Sequence, residues 1–230
     1  MPRPALLAVS HGTADVAGAR AIAALVERVA EALPDVTVRA AFVDVQQPDA
    51  ASALADIDGP VVIVPLLLSS GFHVHHDLHG IAAARADAVV ADPMGPDARL
   101  ADVLASRLRG LDRDGAPVVL AVAGSRDERS LTDAEGMASL LGERLGRPVE
   151  LAYLAARQPD LPTALGTTPD AVVATYLLAR GYFFDLAERL SGEHPLTPPL
   201  LDDLLAADGI PSPLVELLLA RYTAAAARLR

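Results

Sequence analysis

The sequence contains no cysteine. Disulfides, thiolate metal centres and iron–sulfur clusters are therefore excluded, and a reducing compartment is permitted. Aromatic residues make up only 3% against 52% hydrophobic residues, so the core must be packed mainly by Leu, Val and Ala. Basic charge is scarce: the formal net charge is −11 and the sequence pI is about 4.9. No basic stripe exists to release counterions, which argues against nucleic acid and against anionic membranes. No segment approaches the roughly 20 uninterrupted apolar residues of a membrane span. The start, Met1-Pro2-Arg3-Pro4, leads straight into a short strand without the apolar stretch of a signal peptide, so the expected location is the cytoplasm.

What is present is an alternation of short apolar runs and helical patterns. Residues 5–10 read as a strand and 15–33 as a helix closed by Pro34. Residues 36–45 read as a second strand, followed by a short helix from Gln46-Gln47-Pro48-Asp49 to about Asp56, and 61–68 as a third, buried strand. A helix over 78–86, a strand over 88–91 and a helix over 99–108 complete the rhythm of a parallel sheet flanked by helices. The polar, breaker-rich stretch 110–117 reads as a linker.

After the linker the pattern restarts. Val119–Ser125 lies over Leu7–Thr13 at an offset of 112, which also places Asp127 over Asp15. Gln158-Pro159-Asp160 lies over Gln47-Pro48-Asp49 at an offset of 111, and Ala171–Phe183 over Val61–His73 at 110. Ordered anchors at a near-constant offset predict an α/β chain of two tandem repeats, residues 1–112 and 117–230, each a parallel sheet flanked by helices, with a cleft between them. Residues after Gly192 are less parallel: 194–199 read as a loop and Pro213–Leu229 as a helix. Because one chain supplies both lobes, a monomer is enough to form the cleft; the sequence leaves the oligomeric state open.

The repeat works as an internal control. Gly12/Gly124, Gln47-Pro48/Gln158-Pro159 and Gly71/Gly181 persist, whereas His11 becomes Ala123, His73 becomes Phe183 and Asp44 becomes Ala155. His11 and His73 each follow a strand, and the carboxyl ends of parallel strands border the ligand crevice. Neutral imidazole suits Fe2+, Co2+, Ni2+ and Zn2+. A shell of two His and at most one carboxylate is incomplete, which favours an open site that passes its metal on over a closed structural one. Asp44 is either that carboxylate or a helix-cap or solvated loop acid. His75, His76 and His79 have the spacing of one helical face and read as a polar surface rather than as further ligands.

The segments Ser-His-Gly-Thr (10–13), Phe-Val-Asp-Val (42–45) with Gln-Pro after it, and Pro-Leu-Leu-Leu-Ser-Ser-Gly-Phe-His-Val (65–74) resemble the sirohydrochlorin chelatases of the CbiX/SirB type. These are class II chelatases, together with protoporphyrin ferrochelatase. The resemblance covers 5–109 and, more faintly, 117–190 as the degenerate half of the long form. It implies ATP-independent insertion of Co2+ or Fe2+ into a sirohydrochlorin-type tetrapyrrole, toward cobalamin or sirohaem. The metal is a substrate and no organic cofactor takes part. The family's two metal-site histidines map onto His11 and His73; where it often has Glu near the end of strand two, this chain has Asp44, one methylene shorter. After handing over its metal, one imidazole can accept a pyrrole proton.

Such a substrate carries many carboxylates, which an acidic protein repels. Expected local remedies are backbone N–H groups in the Gly12-Thr13 and Ser70-Gly71 turns, together with Arg126, where the first repeat has Ala14, and Arg180, where it has Ser70. Three other readings compete, of which a purely structural two-domain protein is disfavoured by the one-sided loss of the histidines. A non-catalytic tetrapyrrole or metal carrier would carry the same His pair. A hydrolase using Ser10-His11 or Ser69-Ser70 is disfavoured, because neighbours in a strand face opposite ways and no Gly-x-Ser-x-Gly elbow exists.

Overall fold

The computed structural model describes residues 3–71, 73–111, 115–202 and 210–229, with the side chains of 73–75 outside the description. The first repeat forms a four-stranded sheet of β1 (Ala5–Ser10), β2 (Val38–Phe42), β3 (Val61–Pro65) and β4 (Ala88–Val90) in the order β2-β1-β3-β4. The second forms a three-stranded sheet of β5 (Val118–Val122), β6 (Val149–Tyr153) and β7 (Val172–Tyr176) in the order β6-β5-β7. All pairings are parallel.

The sheet register repeats with the sequence. Ala8 lies between Ala40 and Val64, and Leu120 between Leu151 and Ala174, so the offsets of 112, 111 and 110 are those of the paired strands. Among the described residues the second sheet has no strand in the β4 position. An extended piece fills it instead: Leu196 bridges Val173, and the buried Thr175 and Thr197 hydroxyls lie 3.2 Å apart.

The connecting helices are α1 (Val16–Ala32), α2 (Ala50–Ala55), α3 (His79–Ala83), α4 (Ala98–Leu108), α5 (Glu128–Leu145), α6 (Leu161–Thr167), α7 (Tyr182–Ser191) and α8 (Ser212–Ala226). Aspartates start five of them. Asp15, Asp49, Asp97, Asp127 and Asp160 each accept a backbone N–H of the first turn, satisfying donors that have no partner inside the helix. Asp15 and Asp127 do so at matching positions, as the repeat requires.

Alternate residues of each strand feed different cores. Leu6, Ala8, Val62 and Val64 pack with Leu25, Leu104 and Leu217 and also with Leu120, Val172 and Met137 of the second repeat. One central core thus lies between the two sheets. Leu7, Val9 and Ile63 face outward under Leu54 and Leu78, and Val119, Ala121 and Val173 under Leu161 and Phe184. Strands buried on both faces explain their continuous apolar sequences. By sequence α8 lies in the second repeat, yet it packs on β3, α1 and α4 of the first. There Tyr222 donates to the Pro4 carbonyl at 2.7 Å and Arg221 to that of Pro93 at 2.9 Å. Among the described residues no helix is long and apolar enough to cross a membrane.

Several element boundaries differ from expectation, and the short helix expected from Gln46 begins only at Ala50, behind its Asp49 cap. The second strand stops at Phe42 rather than Val45, because the chain folds back so that the Phe42 N–H reaches the Pro48 carbonyl at 3.0 Å. The third stops at Pro65, one residue before Leu66 N–H makes a last bond to the Val9 carbonyl. The helix expected from Leu78 begins earlier, as a π-helical turn over His73–Leu78 that continues into α3.

Candidate functional site

The carboxyl end of β1 carries the candidate residues in order. Ser10 is buried and His11 exposed, and Gly12 then turns the chain at φ 93°. A Cβ on Gly12 would sit 2.2 Å from the Asp44 carbonyl oxygen, so only glycine lets this loop approach the one after β2 so closely. The approach is fixed by Val43 N–H to the Ser10 carbonyl at 2.9 Å and Asp44 N–H to the His11 carbonyl at 3.0 Å. His11 and Asp44 are thereby neighbours at adjacent strand tips. The Asp44 side chain is exposed, and its Oδ1 accepts the Val45 N–H at 2.7 Å, next to a Val45 held at φ 63°. A β-branched residue in that region is strained and typical of functional loops.

The second repeat keeps this frame without the chemistry. Gly124 has φ 88° and would collide with the Ala155 carbonyl at 2.0 Å, and Ala156 takes the Val45 conformation at φ 67°. Ala123 and Ala155 stand where His11 and Asp44 stand. The loop is the same object in both repeats, and only the first carries side chains able to hold a cation.

At the carboxyl end of β3 the half-buried Ser69-Ser70-Gly71 runs into the turn that His73 opens. The His73 and His75 side chains lie outside the described residues. His76 is exposed, with Nδ1 3.4 Å from Asp77 Oδ1, and His79 is exposed as well. Among the described residues no group of three or more His, Cys, Asp or Glu side chains is arranged to hold a metal ion.

The tips of the two repeats meet around an approximate two-fold axis. Thr13 abuts Gly181, whose added Cβ would lie 2.7 Å from Thr13 Oγ1, and Ser125 abuts Gly71, whose added Cβ would lie 3.9 Å from Ser125 Oγ. These are the same contact made twice, once from each side. The junction is tightened by Tyr176, whose buried phenol donates to the Leu68 carbonyl at 3.0 Å. Burial pushes that phenol far above its ordinary pKa, so it stays a proton donor.

Several residues assigned to substrate carboxylates are engaged within the protein. Thr13 N–H donates to Gln46 Oε1 at 2.9 Å and Ser70 N–H to Asp133 Oδ2 at 2.5 Å, so neither amide is open to an anion as the sequence suggested. Arg180 reaches Asp202 through two bonds, at 3.2 and 2.9 Å, and stacks over Phe184 at 4.8 Å. Its hydrogen bond to the buried Asp202 raises the guanidinium pKa. Arg126 is exposed and makes no side-chain hydrogen bond or ion pair among the described residues. Ser10 Oγ is buried with no hydrogen-bond partner there either, so no base activates it as a nucleophile.

Sequence reasoning missed Gln46, which holds the Thr13 amide within the first repeat, and Asp133 and Tyr176, which act across the junction. It also missed an apolar rim. The exposed large hydrophobic side chains among the described residues are Val16, Val45, Tyr182 and Phe183, and each follows a strand tip by a few residues. Tyr182 and Phe183 form an edge-to-face pair at 5.4 Å. With only 3% aromatics available, this clustering was the signal to look for.

Comparison with known proteins agrees with this architecture. The model of the CbiX family matches residues 5–111 and 117–200. A sirohydrochlorin ferrochelatase of Priestia megaterium is 29% identical over 175 residues, covering 70% of this chain and 66% of that protein. A sirohydrochlorin cobaltochelatase of Methanococcoides burtonii is 30% identical over 77 residues, covering 32% of this chain and 59% of that protein. The matches thus span less than two thirds of either relative's length. The structure of SirB from Bacillus subtilis with Fe3+ superimposes with a TM-score of 0.78 at 22% identity, over 98% of this chain and 96% of that one, which establishes the shared fold. On the breadth of the family match across both repeats, the chain belongs to the CbiX family.

Proposed function

We propose that this protein inserts a divalent metal, Co2+ or Fe2+, into sirohydrochlorin or a closely related tetrapyrrole. The observation that carries the reading is the asymmetry of two otherwise matched strand-tip loops. His11 and Asp44 sit at adjacent tips in the first repeat, and alanines occupy the same frame in the second. The names of the family relatives, a ferrochelatase and a cobaltochelatase of sirohydrochlorin, support the substrate class.

In this reading residues 1–112 bear the metal site and 117–230 form the degenerate lobe. His11 and His73 hold the ion on one side of the macrocycle, with Asp44 beside His11. Imidazole binds these borderline ions firmly enough to strip water, and two such ligands leave positions open for pyrrole nitrogens. As the ion moves into the ring the two pyrrole N–H protons leave, one to a vacated imidazole and the other to solvent. Tyr182, Phe183, Val16 and Val45 offer apolar surface to a flat ring. Arg126 meets the peripheral carboxylates, with the remaining turn amides at Gly12 and Gly71.

The test is purified full-length protein with sirohydrochlorin and either Co2+ or Fe2+, followed by absorbance. Multiple turnovers faster than the spontaneous reaction are expected. Binding of one or both substrates with insertion no faster than without protein would overturn the reading in favour of a carrier.

A further inference from the structure

The loop that delivers His73 is held by the other repeat. Three side chains of the second repeat reach Leu68–Ser70. Asp133 of α5 accepts the Ser70 N–H at 2.5 Å, Tyr176 of β7 donates to the Leu68 carbonyl at 3.0 Å, and the Ser130 and Ser69 hydroxyls lie 3.3 Å apart. A carboxylate accepting a backbone N–H is a charge-assisted bond, stronger than a neutral one. It is also fixed at its base: Met137 and Leu141, one and two turns further along α5, are fully buried in the central core.

The approximate two-fold axis supplies the comparison. The equivalent loop of the second repeat, Leu178–Gly181, faces the first repeat in the same way. There Gly18 stands in the place of Ser130 and Ala21 in the place of Asp133, both at the offset of 112, and Leu66 stands in the place of Tyr176 at 110. Gly18 makes a bare backbone contact, with any added Cβ 2.1 Å from the Arg180 carbonyl. All three polar groups of this clamp therefore have apolar counterparts on the opposite side. Among the described residues these three groups act only on the loop that a histidine follows; the loop before Phe183 has a single, longer cross-repeat side-chain bond, from Thr13 Oγ1 to the Arg180 carbonyl at 3.4 Å.

We infer that Asp133 is a positioning residue for metal binding, through its bond to the Ser70 amide, and that the degenerate repeat is retained in part to set the His73 loop. The inference rests on the reading of His11 and His73 as the metal's ligands. Outer partners that orient ligands typically contribute about 10- to 100-fold in metal affinity.

The experiment is a Co2+ titration of the full-length protein, without tetrapyrrole, read from the visible absorption of the bound ion. Asp133→Ala is expected to weaken Co2+ binding by about 10-fold or more, while Asp133→Asn keeps near wild-type affinity, because the amide oxygen still accepts the Ser70 N–H. The two variants remove the same charge, so the contrast isolates the hydrogen bond. If Asp133→Ala fails to fold, Tyr176→Phe keeps the packing, removes only the Leu68 bond, and is expected to weaken binding in the same direction. Wild-type affinity in folded Asp133→Ala, or equal losses in Asp133→Ala and Asp133→Asn, would overturn the inference. His11→Ala and His73→Ala are run alongside. If both bind Co2+ normally, the ligand assignment itself fails, and that failure is distinguishable from the failure of the clamp alone.

Discussion

Replacing Gly12 by alanine tests the strand-tip loop where it is tightest. The new Cβ would sit 2.2 Å from the Asp44 carbonyl oxygen, against 3.4 Å or more for an ordinary contact. The loops after β1 and β2 must therefore part by about 1 Å. At φ 93° the side chain also carries a left-handed penalty of roughly 1–2 kcal/mol, and overpacking adds roughly 1–3 kcal/mol. A total loss of about 2–5 kcal/mol is expected in urea unfolding. Gly124→Ala is the matched control, since its Cβ meets the Ala155 carbonyl at 2.0 Å and its φ is 88°. It should cost the same stability, because the frame is the same. The functional outcomes should separate. Displacing His11 and Asp44 by about 1 Å is expected to slow metal insertion about 100-fold, whereas Gly124→Ala moves only Ala123 and Ala155 and should retain most activity under conditions where both variants are folded. Equal losses of insertion in the two variants, at equal stability, would refute the division of labour between the repeats.

Two further predictions concern charge. Burial raises the Asp97 carboxyl, but its bonds to Arg99, backed by Arg221, outweigh this and hold it below 3.8. Its stabilisation is therefore complete above about pH 4 and disappears as the pH falls through the lower native value. Asp97→Asn keeps the helix cap but weakens the bonds to Arg99, and should lose about 1–2 kcal/mol at pH 7, with the gap to wild type closing in urea titrations below pH 3.8; a gap independent of pH would contradict this. The arginines should part company. Arg126→Ala should raise KM for the tetrapyrrole with no change in melting temperature. Arg180→Ala leaves Asp202 buried without its two-bond partner and should destabilise by about 3 kcal/mol; a rise in KM at unchanged stability would instead favour carboxylate binding by Arg180.

The repeat made most of the fold legible from sequence. Its offsets correspond to the register of the paired strands, and Asp15/Asp127 and Gly12/Gly124 recur as matched caps and turns. That His11 and Asp44 each lie where a strand ends was legible from the apolar runs. Less legible was anything that depends on contacts between residues far apart in the chain. Asp133 reads in sequence as one more acid on an amphipathic helix, yet its carboxylate meets the Ser70 amide 63 positions away. That bond and the one from Thr13 to Gln46 occupy the amides that looked like anion sites. Tyr176 reads as a strand aromatic, and α8 as a terminal helix of the second repeat, although it completes the helical layer of the first. Strand ends were overestimated because the apolar runs continue past the paired residues, into Val43 and the exposed Val45 after β2 and into Leu66–Leu68 after β3.

The most direct test of the account is X-ray absorption spectroscopy on Co2+-loaded full-length protein, counting imidazole ligands. Wild type should show coordination by two imidazoles, falling to one in His11→Ala and to one in His73→Ala, with no change when residues of the second repeat's corresponding loops are replaced. A spectrum without imidazole scattering, or one that neither substitution alters, would contradict it.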